Sequence, residues 1–322
     1  MSLNTSWSFT PFPPFPATIL PNVAYWNATN QFNNLTYQIG VSWPFEWDSR
    51  NVTNKTALSM YVIDGNALGL TAAEAFKRRQ PVSFNQPDSL VVSIGYPLSD
   101  SVYDLAQRAI DFRPPLPTPQ MPPSGADDFI AFIDGSLRPW IKTSVFPNVK
   151  FGRDALFGHS FGGLFVTYAL VSNPNLFDTY FVVSPALNWN NGSILDDVTA
   201  RFGNGIDIPG SWCSSCPDGD QRAPWCLDRS KAINTTKPAV AISYGTLETF
   251  PVRTRTETEA EFQVRKAVWR SYDVGTYSHE LFDRLEGSGR FRDVALKEYY
   301  GSDHSTLGAS ALNDGVDYFI DW

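Results

Sequence analysis

Apolar residues along this chain fall into two kinds of run: short unbroken stretches of strand length, and longer ones spaced three and four apart. Leu35, Tyr37, Ile39 and Val41 alternate with polar neighbours and predict a strand ending near Trp43-Pro44. Near-continuous apolar runs at 57–63, 89–95, 178–183 and 238–245 predict buried strands, and 292–300 a last one. A further short strand runs from Asp154 into Gly158. Helical spacing marks 71–79, a long segment after Ser124 (Phe129, Phe132, Ile133, Leu137, Ile141), and the stretch from Leu164 to Val171. It returns at 256–274, at 277–286, and in a closing helix through Ile320. Strands that alternate with helices predict the α/β class, a mostly parallel twisted sheet covered by helices on both faces. Residues 1–322 are read as a single domain, since such folds commonly reach this length without splitting.

Three stretches break the alternation. Residues 1–23 are rich in Pro and Phe, so a central strand is excluded there and an extended arm over 1–33 is expected. Residues 98–123 carry six prolines between Pro114 and Pro123 and are expected to be irregular, a rim or a tether. Residues 203–237 form a polar insertion after the sixth strand, a candidate cap, with Trp212, Trp225 and all three cysteines. Cys213, Cys216 and Cys226 lack a fourth ligand for a structural zinc. One local disulfide with a leftover thiol, or three free thiols, remain as readings.

Charge narrows the partners. Twenty-five Lys plus Arg against 33 Asp plus Glu give a net charge of −8, which argues against nucleic acid. No apolar run approaches the roughly 18 residues of a membrane span. The first residues lack a charged segment followed by an apolar core, so a cytoplasmic location is expected. Seven Asn-x-Ser/Thr sequons, at Asn4, Asn27, Asn34, Asn51, Asn54, Asn191 and Asn234, keep secretion after removal of a leader open.

The chemistry centres on Gly158-His159-Ser160-Phe161-Gly162, which joins an apolar strand to an apolar helix. In that context Gly-x-Ser-x-Gly is a strained turn that lifts a serine hydroxyl to the carboxyl edge of a sheet. Reactive groups in an open α/β sheet collect at the carboxyl ends of strands. With 57–63 taken as the third strand, the third delivers Asp64-Gly65-Asn66, the seventh Thr246-Leu247-Glu248, and the eighth His304. A serine hydroxyl needs a base, and only three histidines exist. His159 is expected to be a packing residue and His279 a surface residue of a helix, which leaves His304 as the base. Glu248 is the expected acid, holding the imidazole, with adjacent Asp303 as the fallback and a Ser–His pair without an acid as a further alternative. The N–H of Phe161 is expected to serve the developing oxyanion, and a second donor should come from Asn66. No metal or cofactor is required.

Taken together, Val62-Ile63-Asp64-Gly65-Asn66, Ser124 to Ile130, Leu137 to Ile141, Phe157 to Leu164, Asn173 to Phe177, Ser184 to Trp189 and His304 resemble the putative-esterase family of α/β-hydrolases. That group includes trilactone siderophore esterases and relatives of the mycolyltransferases. The resemblance spans roughly 35–202 and 238–320. It implies the α/β-hydrolase fold, a triad of Ser160, Glu248 and His304, and oxyanion donors at Asn66 and Phe161. Arg108-x-x-Asp111-x-Arg113-Pro114 resembles the segment beside the substrate cleft, which makes Arg108 and Arg113, with Trp189, candidate substrate-binding residues; the alternative is an ion-paired loop. The activity implied is cofactor-free hydrolysis of a small-molecule ester such as a hydroxamate siderophore, ferric or iron-free. An acyltransferase, a general carboxylesterase and a non-catalytic binder on the same fold are the alternatives.

Overall fold

Unbroken apolar strands need cover on both faces, and the computed structural model supplies it: the runs at 57–63, 89–95, 179–183 and 239–245 are buried throughout. It describes residues 6–11, 20–83, 85–118, 122–203 and 237–321. Two compact units divide the chain, residues 1–157 and 158–322.

In the first unit, β1 (Trp7–Pro11), β2 (Val23–Asn30), β3 (Thr36–Ser42), β4 (Lys55–Ile63), β5 (Ser89–Gly95) and β6 (Val149–His159) lie in the order β1-β2-β3-β5-β4-β6. The pairs β1–β2, β2–β3 and β3–β5 are antiparallel, whereas β4 runs parallel to β5 and β6. The last two residues of β6 belong to the second unit. The proline-bearing β1 pairs only with β2 at the sheet edge, where a missing N–H is tolerated. The expected arm over 1–33 is otherwise overturned, because 23–30 is a paired strand with Trp26 and Ala28 buried. Asn27 interrupts its short apolar run, so the alternation was invisible.

Two helices also differ from expectation. α1 (Gly65–Arg79) begins six residues earlier than its spacing suggested. Asp64 adopts a left-handed φ of 53° and its carbonyl accepts the N–H groups of Ala67 and Leu68, so strand passes directly into helix. Within 98–123, α2 (Leu105–Asp111) forms where irregular chain was expected. The prolines begin only at 114, and Asp104 caps the helix by accepting from Ala106 and Gln107. The long helix is present as a rod over 126–145, comprising α3 (Ala126–Phe132) and α4 (Arg138–Trp140) with π-type turns at Ile133–Leu137 and Ile141–Val145. Pro139 lacks an N–H, and the bonding steps to five-residue spacing on either side of it.

The second unit contains α5 (Phe161–Ser172), β7 (Thr179–Val183), α6 (Ser193–Phe202), β8 (Ala239–Gly245) and α7 (Thr246–Thr249). Then follow α8 (Glu259–Tyr272), α9 (Val274–Glu286), β9 (Asp293–Tyr299) and α10 (His304–Asp321). β7, β8 and β9 are parallel neighbours, with α5 on β7, α9 on β8 and β9, and α10 on β7 and β8. Every residue of β7 and β8 is buried, as their unbroken apolar sequences require. The three cysteines, Trp212 and Trp225 lie outside the described residues. No helix among the described residues is long and apolar enough to cross a membrane.

Candidate active site

The turn after β6 is as tight as its glycines imply. A Cβ on Gly158 would lie 2.3 Å from the Gly162 carbonyl oxygen, so only glycine allows the approach. Between them Ser160 sits at φ 61°, ψ −121°, a strained conformation for a side-chain-bearing residue. Hydrogen bonds hold it there. The Ser160 N–H donates to the Val183 carbonyl at the end of β7 (2.9 Å), and its own carbonyl accepts from Leu164 and Ala186 (3.1 Å each). Phe161 opens α5, so its N–H is one of the first-turn donors that a helix leaves without an internal partner.

Glu248 occupies the third position of α7, directly after β8. Its side chain is fully buried, and its Oε1 lies 2.5 Å from His304 Nδ1. The other oxygen, Oε2, accepts from the Gly245 N–H and from Ser184 Oγ, both at 2.7 Å. A carboxylate oxygen accepts, so in this contact Nδ1 is the donor and Nε2 is the ring nitrogen not engaged by Glu248.

His304 reaches this carboxylate because two loops are stitched together. The Leu247 N–H donates to the Ser302 carbonyl (3.0 Å), and the Gly301 N–H to Thr246 Oγ1 (2.8 Å). A Cβ on Gly245 would lie 2.3 Å from that Ser302 oxygen, so this second glycine is also demanded by close approach. Asp303 is engaged elsewhere: its Oδ1 caps α10 by accepting from the Ser305 and Thr306 N–H groups. Partial burial pushes its carboxyl up, but these donors outweigh it and hold the group below the usual range.

The His304 imidazole is 24% exposed and lies close to two rings. The His159 ring is 4.4 Å away, centroid to centroid, and the Trp269 indole of α8 4.9 Å away. His159 is therefore a buried packing residue as expected, and it packs against the His304 ring. His279 is an exposed residue of α9, 3.0 Å from the Tyr244 hydroxyl. Burial, aided by Glu298, pushes that hydroxyl up to about 12.

Trp189 is half-buried at the start of a 3-10 turn (Trp189–Gly192). In the first unit, Asn66 lies in the first turn of α1, its Nδ2 donating to the Tyr96 carbonyl (2.7 Å). There too the Arg108 guanidinium forks onto Asp64, with Nε–Oδ1 3.0 Å and Nη2–Oδ2 2.6 Å. Arg113 donates to the Pro122 carbonyl. Sequence reasoning missed Ser184, Gly245 and Trp269. Ser184 had as signals a strand end at Ser184-Pro185 and a place in the family resemblance, neither of which gave it a role, and nothing in the charged sequence of α8 pointed to its indole.

Comparison with known proteins adds a second line. The model of a family described as Putative esterase matches residues 61–293. The siderophore enterobactin esterase of Emericella nidulans is 35% identical over 325 aligned positions, covering 97% of each chain. The siderophore triacetylfusarinine C esterase of Aspergillus fumigatus is 31% identical over 287 positions, 89% of each. Among solved structures, the siderophore hydrolase EstB from Aspergillus nidulans superposes with a TM-score of 0.81 at 32% identity, covering 96% of this chain and 99% of that one.

Proposed function

The chain belongs to the putative esterase family of α/β-hydrolase-type carboxylic-ester hydrolases, and on that premise we propose that it cleaves the ester bonds of a siderophore through Ser160, His304 and Glu248. The observation that carries the relay is the 2.5 Å contact between Glu248 Oε1 and His304 Nδ1, with the carboxylate wholly buried and the imidazole partly open to solvent. Ser160 Oγ attacks the ester carbonyl carbon while its proton passes to His304 Nε2. The negative charge that develops on the carbonyl oxygen is met by the Phe161 N–H. By resemblance, the Asn66 N–H is the second donor.

Collapse breaks the carbon–oxygen bond, and the leaving alcohol takes the proton from the imidazolium. Water, deprotonated by the same nitrogen, then releases the acyl group and restores Ser160. Throughout, Glu248 holds the imidazole in one tautomer and favours its charged form.

The substrate assignment rests on relatives named for siderophore esters and spanning nearly the whole chain. A hydroxamate trilactone, or the linear esters left after its first opening, is the substrate class proposed. Trp189 and Arg113 are the residues we carry forward as substrate contacts. Arg108 is committed to Asp64, so its part is to brace the turn between β4 and α1.

The test is mass spectrometry of products from ferric and iron-free trilactones, with Ser160→Ala alongside. Ring-opened and fully cleaved acids are expected from the wild type and none from the variant. Undiminished turnover by Ser160→Ala would refute the serine mechanism. Transfer of the acyl group to an added alcohol in preference to water would make the protein an acyltransferase instead.

A further inference from the structure

We infer that Ser184 is a positioning residue of this relay, whose hydroxyl sets the direction in which Glu248 presents its carboxylate to His304. The inference rests on the Ser160–His304–Glu248 reading and adds to it a residue that acts through the acid.

Glu248 stands on α7, a helix of four residues, and one turn is too short to be rigid by itself. Its carboxylate is oriented from outside. Oε1 faces His304 Nδ1, while Oε2 takes one donor from the end of β8, the Gly245 N–H, and one from beyond the end of β7, Ser184 Oγ. Three separate segments thus meet on one carboxylate. Its side chain has no exposed surface, so an oxygen deprived of a donor has no bulk water to turn to.

The backbone of Ser184 supports the same reading. This residue is fully buried at φ 41°, left-handed for a residue that is not glycine, and it precedes a proline. Its N–H donates to the Ser243 carbonyl of β8 at 2.7 Å, which holds the strained geometry in place. The strain delivers one group, a hydroxyl, to the acid. Strained residues of this kind collect where geometry serves chemistry.

Because the carboxylate accepts only, the Ser184 hydroxyl must donate. With Oε2 bonded twice, the carboxylate cannot rotate away as the imidazolium forms. The dipoles that stabilise that cation are therefore already in place, and no reorganisation is needed during proton transfer.

The experiment uses the full chain and an ester substrate, with Ser184→Ala and Ser184→Cys each made alone, and Ser184→Ala also combined with Glu248→Gln. Loss of one hydrogen bond to a charged group should lower kcat by about 10- to 100-fold while KM moves by less than about twofold. Cysteine, a weak donor of similar size, should recover part of the loss. In the Glu248→Gln background the further effect of Ser184→Ala should shrink to less than about threefold, because the two residues act as one unit. The low-field proton resonance of the His304 Nδ1–H should move or broaden in Ser184→Ala.

An equal loss in both backgrounds would mean that Ser184 acts by packing, and would overturn the inference. So would an unchanged kcat with an unchanged resonance. If Ser184→Ala fails to fold, Ser184→Gly removes the same hydroxyl while relieving the positive φ. Wild-type kcat in Glu248→Gln would instead sink the underlying assignment of the acid. A loss there with no effect at Ser184 would sink only the present inference.

Discussion

Glu248 in the second unit and Asp64 in the first are both carboxylates hidden from water, with side chains 0% and 1% exposed. Each meets its partner through close hydrogen bonds. Their partners differ in kind. Asp64 faces the Arg108 guanidinium in a two-bonded fork, and the arginine side chain is only 12% exposed. Glu248 gives one oxygen to the His304 imidazole, whose side chain is 24% exposed. The first pair is a brace that joins α2 to the turn between β4 and α1. On the proposed reading the second serves a relay. Burial and satisfaction alone would then not mark a catalytic carboxylate; the kind of partner would.

Asp111 is an intermediate case in the first unit. It accepts from Tyr37, Tyr96 and Gln107 in the buried layer under α2. Burial pushes its carboxyl up to about 6, against the pull of those three donors. Its partners are phenols and an amide, which do not exchange protons in this range, so its titration affects stability rather than turnover.

The comparison breaks most sharply at Glu248. Glu248→Gln should lower kcat by about 10⁴-fold by allowing the wrong imidazole tautomer, with little change in the thermal midpoint. Arg108→Met should do the reverse. Leaving Asp64 buried without its cation should cost about 3–5 kcal/mol in urea unfolding, while turnover per folded molecule is retained. A large kcat loss in fully folded Arg108→Met would erase the distinction between brace and relay.

A smaller effect follows at Asp111. With a folded pKa of about 6 against about 3.9 unfolded, the folded protein holds the proton more tightly. Its contribution is therefore fully present below about pH 4 and is lost as pH rises through about 6, a difference of about 3 kcal/mol. Asp111→Asn should remove that part of the wild-type pH dependence, read as the difference between the two stability curves. Gly245→Ala places a methyl against the Ser302 carbonyl and must shift a loop that carries the base. Activity should fall by about 100-fold, as for a displacement of about 1 Å at a reacting group. At the small end, Glu74→Ala removes an exposed pair with Arg78, both more than half exposed, and should change stability by less than about 0.5 kcal/mol.

Much of this was legible in the chain. The apolar runs at 57–63, 89–95 and 238–245 coincide with β4, β5 and β8 within two residues, because buried parallel strands carry few polar positions. The turn around Ser160 could be read because strained backbone admits few residue types. Elements whose signal was mixed were not read. β2 has Asn27 in mid-strand, and α2 lies next to a proline cluster that obscured its Asp104 cap. Ser184 and Trp269 were silent for another reason, since each matters only through a residue more than thirty positions away.

By itself, then, the amino-acid order determined the alternation of strand and helix, the glycine-flanked serine turn and the short list of candidate partners for its hydroxyl. Those properties are local: periodicity, permitted φ, and side-chain chemistry are carried by neighbouring residues. The contact of His304 with Glu248 rather than Asp303, the rings near His304 and the donor from Ser184 were decided only when distant strand ends met. Such choices depend on distances of about 3 Å between groups separated by up to 64 positions (184 and 248), and no local pattern encodes a distance of that kind.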